Sequence, residues 1–116
     1  MKVNDEVIQL IADFNNYVKN IPLGCLELSI NIKKGNIDEA IKQIVHFAEG
    51  ISWLIYAKDN LSAYNIFIEF ERDDLEIMLN EINEALELQD FTLVADIFEY
   101  GIKEFFESIE PVSTEN

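Results

Sequence analysis

Residues 7–32 read VIQLIADFNNYVKNIPLGCLELSINI, and the fold turns on how that run is divided. Val7, Ile11, Phe14, Val18, Ile21, Cys25, Leu28 and Ile32 follow one another in alternating steps of four and three. That spacing keeps an apolar seam on one edge of a helix for more than three heptads. Pro22 lies inside the run, where it removes a backbone N–H and crowds the carbonyl of Val18. The seam stays in phase across it. The spacing therefore predicts one long helix kinked near residues 18–22, against a competing break at Asn20 into two shorter helices.

Downstream, Lys33 and Lys34 precede Gly35, as suits a helix end with cations at the negative pole of its dipole and a left-handed residue just beyond. Asn36 with Glu39 reads as a capping pair. A second stripe then runs Ile37, Ile41, Ile44, Ala48, Ile51 and Ile55, widened by Ala40, Phe47 and Leu54. A break near Lys58-Asp59-Asn60 introduces a third helix from Leu61 or Ser62, with Tyr64, Phe67, Ile68, Leu75, Met78, Ile82, Ala85 and Leu86 along its stripe. Asp90 caps a fourth, which turns Phe91, Val94, Ala95, Phe98, Ile102, Phe105 and Ile109 inward.

Shifting the chain by 54 residues lays the second stripe on the fourth, Ile37 over Phe91 and Ala40 over Val94, with Asn36 over Asp90. This is a duplicated hairpin, or two amphipathic hairpins that happen to align. Both give an all-α fold, an antiparallel four-helix bundle built from two helical hairpins. Residues 1–110 form its single domain and 111–116 a frayed tail. The turn Gly35-Asn36-Ile37-Asp38-Glu39-Ala40 resembles that of tetratricopeptide hairpins, but the 54-residue spacing departs from that family's period, so its function is not carried over.

Charge divides the chain unevenly. Residues 1–58 hold seven acids and six lysines, a net of −1; residues 59–116 hold sixteen acids, Arg72 and Lys103, a net of −14. The sum is −15. Such a surface repels nucleic acid and anionic membranes and favours basic protein segments or hard cations. No apolar run approaches the length of a membrane helix, and residues 1–6 lack the pattern of a secretion signal. The lone cysteine, Cys25, sits in the apolar seam and fits a reducing cytoplasm as a buried small hydrophobe.

Catalytic patterns are sparse. His46 is the only histidine, so di-iron bundles and two-histidine zinc sites fail on ligand count in a single chain, and it reads as a boundary residue near Trp53. No glycine-rich phosphate loop or nucleophile elbow occurs. Glu71 stands where the third stripe calls for an apolar residue: a buried functional carboxylate, or, as favoured here, one that escapes to solvent beside Arg72. The sharper enzyme reading uses Glu81 and Glu84 on the third helix with Asp96 and Glu99 on the fourth, each pair one turn apart. These residues resemble the paired acidic motifs of all-helical nucleoside triphosphate pyrophosphatases. That resemblance implies Mg²⁺ held by carboxylates against a polyphosphate.

Leu86-Glu87-Leu88-Gln89-Asp90-Phe91 and Ala95-Asp96-Ile97-Phe98-Glu99-Tyr100 are similar to small uncharacterised all-helical bacterial proteins, a likeness confined to the last third of the chain. The expected function is non-enzymatic: a cytoplasmic interaction or chaperone-like protein, without cofactor, nucleic acid or membrane. Its acidic C-terminal half engages a basic or amphipathic segment through Tyr64, Glu71, Asp73, Asp74, Tyr100 and Phe106. Leftover apolar residues such as Trp53 and Phe106 offer a homodimer contact. The alternative is the magnesium-dependent pyrophosphatase.

Overall fold

The computed structural model describes residues 5–112. Helix α1 (Asp5–Lys33) runs unbroken through Pro22, and every residue of the predicted seam from Val7 to Ile32 is buried. Helix α2 (Ile37–Ser62) and helix α3 (Arg72–Glu87) follow. The last rod is composite: α4 (Phe91–Asp96), a π-helical stretch Ile97–Ile102, and α5 (Lys103–Glu107). The described residues thus form an all-α bundle without strands, about 50 × 23 × 20 Å.

Helix α1 is the central rod. It packs against α2 on one side and against the composite rod on the other, while α3 packs on the composite rod. Phe98 ties the sides together: it is fully buried, and its ring meets Phe47 of α2 edge-on at 5.1 Å.

Helices α1, α2 and α3 end alike. Gly35 N–H donates to the Ile32 carbonyl (3.0 Å) and Asn36 N–H to that of Asn31 (2.8 Å). Gln89 and Asp90 repeat this with Leu86 (3.0 Å) and Ala85 (2.8 Å), 54 residues on. Asn65 and Ile66 do the same with Ser62 and Leu61, both at 3.0 Å. This bonding satisfies two orphan carbonyls at each end by placing one residue in the left-handed region. Those residues are Gly35 (φ 82°), Asn65 (φ 61°) and Gln89 (φ 54°). Asp90 also caps α4 by accepting from Leu93 N–H at 3.1 Å. The expected capping bond of Asn36 does not form; its amide donates to the Asn31 side chain at 3.4 Å.

The largest departure lies between α2 and α3. The expected break at residues 58–60 is absent, because Ala57 and the fully buried Leu61 continue the inner face of α2 to Ser62. The third helix starts at Arg72 rather than at Leu61 or Ser62. Residues 66–71 form no regular element and pack with period two: Ile66, Ile68 and Phe70 turn inward, while Phe67 is 71% exposed and Glu69 faces solvent. Aromatic and β-branched residues favour such a strap, and its alternation imitates a helical stripe only in part. Lys58 Nζ covers Phe70 at 5.6 Å, and the Phe70 ring meets Phe105 at 5.7 Å.

A second departure follows from the π-helical stretch. Val94, Phe98, Ile102 and Phe106 are buried at successive steps of four. In an α-helix each such step overshoots a full turn by about 40°, so the stripe would wind off α1. Widening a turn through π hydrogen bonding absorbs the surplus residue. The phase therefore slips by one: Phe106, expected as an exposed aromatic edge, is 2% exposed, and Phe105 is only half-buried. Helix α2 is also rolled relative to its predicted stripe, which leaves Ile41 43% exposed and Ala48 exposed while Leu54 is fully buried. At the C-terminal end Val112 is held, not frayed. Its N–H donates to Asn15 Oδ1 (2.8 Å) and its carbonyl accepts from Asn15 Nδ2 (2.9 Å). The rest of the expected tail, 113–116, lies outside the described residues.

Candidate functional site

Two surfaces stand out, and the acidic one comes first. Tyr64 lies in the turn after α2, Glu71 occupies the cap position of α3, and Asp73 and Asp74 fill its first turn; all four are exposed. Glu71 thus faces solvent, where its carboxylate makes no capping bond. Glu71 and Asp74 border a shallow depression floored by Phe70 and Phe105. Tyr100 is exposed on the π-helical stretch. Phe106 is packed inside against Phe105, which removes it from any partner or dimer contact.

The four carboxylates of the nucleotide reading are not brought together as a set. Among the described residues no group of three or more histidine, cysteine, aspartate or glutamate side chains is placed to hold a metal ion. Glu99 is engaged elsewhere: its Oε2 accepts from Lys33 Nζ at 2.8 Å and from the buried Ser29 hydroxyl at 3.4 Å. The bond from Lys33 holds the Glu99 carboxyl below its ordinary range, and Glu99 raises the Lys33 ammonium in turn.

The second surface was not anticipated. A trough of about 650 Å³ opens between α1 and α2. Ile21, Cys25, Leu28, Phe47 and Phe98 form its apolar lining, and Tyr17 and Trp53 stand together with ring centroids 5.8 Å apart. Polar residues on its borders are Asp13, Asn16, Asn20, Gln43 and His46. The hydroxyl end of Tyr17 abuts the α2 backbone at Gly50, which has no Cβ; one placed there would overlap the Tyr17 hydroxyl. Burial raises the Tyr17 phenol above its usual value, with the nearby Cys25 adding to the effect. The Cys25 thiol is pushed up to about 12, chiefly by burial, so it stays protonated and unreactive near neutrality. His46 is exposed on the rim of the trough that Trp53 also lines, and the Trp53 ring packs on Tyr17.

The family described as Domain of unknown function (DUF8042) matches residues 9–112. The chain belongs to this family. The match takes in both surfaces and nearly all of the bundle, so the likeness extends well beyond the last third, and it carries no statement of organism. No curated protein and no solved structure matches the chain. Among the described residues no helix is long and apolar enough to cross a membrane.

The trough was missed for a physical reason. Its lining comes from seam residues that read as core, such as Cys25 and Phe47, and from neutral amides that carry no sequence signal. The clues were Gly24 and Gly50, glycines inside long helices with no turn to explain them.

Proposed function

We propose that this chain is a non-enzymatic interaction protein, chaperone-like and bacterial cytoplasmic, whose acidic C-terminal half engages a basic or amphipathic segment of a partner protein. The observation that supports it is the state of the acids. Glu69, Glu71, Asp73, Asp74, Glu81, Glu84, Glu87, Asp96 and Glu104 are all exposed, and none takes part in an ion pair. Among the described residues of that half, only Glu76, Glu99 and Glu107 meet a cation. Exposed Ile77, Leu88, Leu93 and Tyr100 lie among these carboxylates and supply apolar contact. Unneutralised charge speeds encounter with a cationic partner, and apolar contacts slow its departure. A homodimer would use the near-neutral hairpin, where α2 leaves Ile41 and Val45 exposed.

The test is the association rate of a lysine-rich amphipathic peptide, measured by stopped-flow as salt is raised. Exposed charges are screened over about 8 Å at 0.15 M salt, so the rate should fall steeply. Replacing Glu71, Asp73 and Asp74 together by their amides should flatten that dependence. A rate indifferent to salt and to these substitutions rejects the proposal, as does magnesium-dependent release of pyrophosphate from a nucleotide that Asp96→Asn abolishes.

A further inference from the structure

We propose that the trough between α1 and α2 seats the apolar face of a helix from the partner protein, one whose outer face is basic. This rests on the binding role above and gives it a seat on the hairpin that is not strongly acidic. The length of the trough is the first argument. Its α1 wall steps one turn at a time from Asp13 through Asn16, Asn20 and Gly24 to Leu28. Fifteen residues of helical rise span about 22 Å, room for about four turns of a docked helix. The trough is open along that wall, since Asp13, Asn16, Asn20 and Gly24 are all exposed.

The surface matches a helix in kind as well as in length. Two packed helices leave a furrow whose ridges accept a third, and an amphipathic helix fills it with residues spaced i, i+3, i+4 and i+7. Near the middle, nothing lies within 4 Å of where a Cβ on Gly24 would sit, so another backbone can approach closely. Along the rim, the side chains of Asn16, Asn20 and His46 and the Tyr17 hydroxyl make no hydrogen bond among the described residues, although those of Asn15 and Asn31 nearby do. They are free to meet the polar flanks of an incoming segment.

Charge selects the outer face of the occupant. Among the described residues Asp13 is the one formally charged residue lining the trough, with neither lysine nor arginine beside it, and the whole chain carries −15. An acidic helix, or an anionic ligand such as a nucleotide, would find no counter-charge there. A lysine-backed helix would be drawn in by the field of the whole molecule.

Trp53 is the only tryptophan and lines the trough, so its emission reports occupancy directly. The probe is a synthetic helix of about five turns with leucines in one stripe and lysines elsewhere. A scrambled peptide of the same composition, lacking the stripe, is the control. The striped peptide should shift Trp53 emission and the scrambled one should not. Gly24→Leu, which fills open space without touching the core, should weaken binding about tenfold while leaving the salt dependence intact. Asn20→Leu serves as a second obstruction should Gly24→Leu perturb the helix. Neutralising Glu71, Asp73 and Asp74 should alter the salt dependence but not the Trp53 response. If the striped peptide binds with Trp53 silent, or binds both obstructed proteins as tightly as the parent, the trough is not the seat and the acidic surface alone stands. If neither peptide binds even at low salt, both proposals fall.

Discussion

The hairpin of α1 and α2 and the hairpin of α3 and the composite rod close through the same backbone turn, yet their second arms behave differently. Gly35 and Gln89 occupy equivalent left-handed positions 54 residues apart, with equivalent bonds to the preceding helix. Up to Ala40 and Val94, both buried, the arms remain in register. Past that point they part: Ala48 is exposed whereas Ile102 is fully buried. Helix α2 keeps an α-helical pitch and rolls, which opens the trough beside α1. The composite rod inserts a π turn and keeps Phe98, Ile102 and Phe106 buried. One turn motif thus serves two differently packed arms, and the pitch of the arm decides which.

Deleting one residue from each arm should produce the largest contrast. Without Tyr100, the buried set Val94, Phe98, Ile102, Phe106 and Ile109 would follow steps of four and three, a regular α-helical seam. That deletion should therefore keep the fold, with stability within about 1 kcal/mol of the parent. Deleting Ala48 from α2 has no surplus to absorb it and turns Ile51 and Leu54 away from α1. It should cost more than the roughly 3–5 kcal/mol of a large core truncation. Equal losses in chemical denaturation would break the comparison. Phe98→Ala comes next at about 3–5 kcal/mol, because Phe98 is fully buried and joins the two hairpins through Phe47.

The turns themselves give smaller effects. Gly35→Ala places a Cβ in the left-handed region and should cost about 1 kcal/mol. Gln89→Gly relieves the same strain and should gain about 0.5–1 kcal/mol, offset in part by unfolded-chain entropy. Thermal melts of the two variants should move in opposite directions; movement in the same direction would show the turns to be inequivalent.

The subtlest effect is the pH dependence of the link between the two hairpins. Glu99 has a lowered folded value, so its contribution is present above the ordinary carboxylate range and lost as pH falls through the lowered one. Lys33 has a raised folded value, so its contribution is complete below the ordinary amine range and lost as pH rises through the raised one. Lys33→Met should flatten the acid and alkaline limbs of melting temperature against pH and change little between them. A loss of constant size across the whole range would indicate that Lys33 acts through packing.

Much of the fold was legible along the chain and less of the site. The seam from Val7 to Ile32 showed itself because α1 touches neighbours on both sides and needs an apolar edge at every turn. Its phase survived Pro22, and the survival was readable. The strap at residues 66–71 was not, since a few apolar residues in succession satisfy period two and period 3.6 almost equally well. Tyr64, Glu71, Asp73, Asp74 and Tyr100 are exposed; for Tyr64 and Glu71 this runs against the spacing of the expected third stripe, which does not exist before Arg72. Phe106 was misplaced because periodicity was extended at α-helical pitch through a π turn.

Sequence alone determined the apolar seam of the first helix, the uneven charge of the two halves and the stops that close α1 and α3. These follow from side-chain chemistry and from local backbone bonding over a few residues. Tertiary packing decided the pitch of the last rod, the roll of α2 and hence the trough between α1 and α2. Helices rich in apolar residues on several faces bury whichever face their neighbours leave room for, and only the assembled bundle supplies those neighbours.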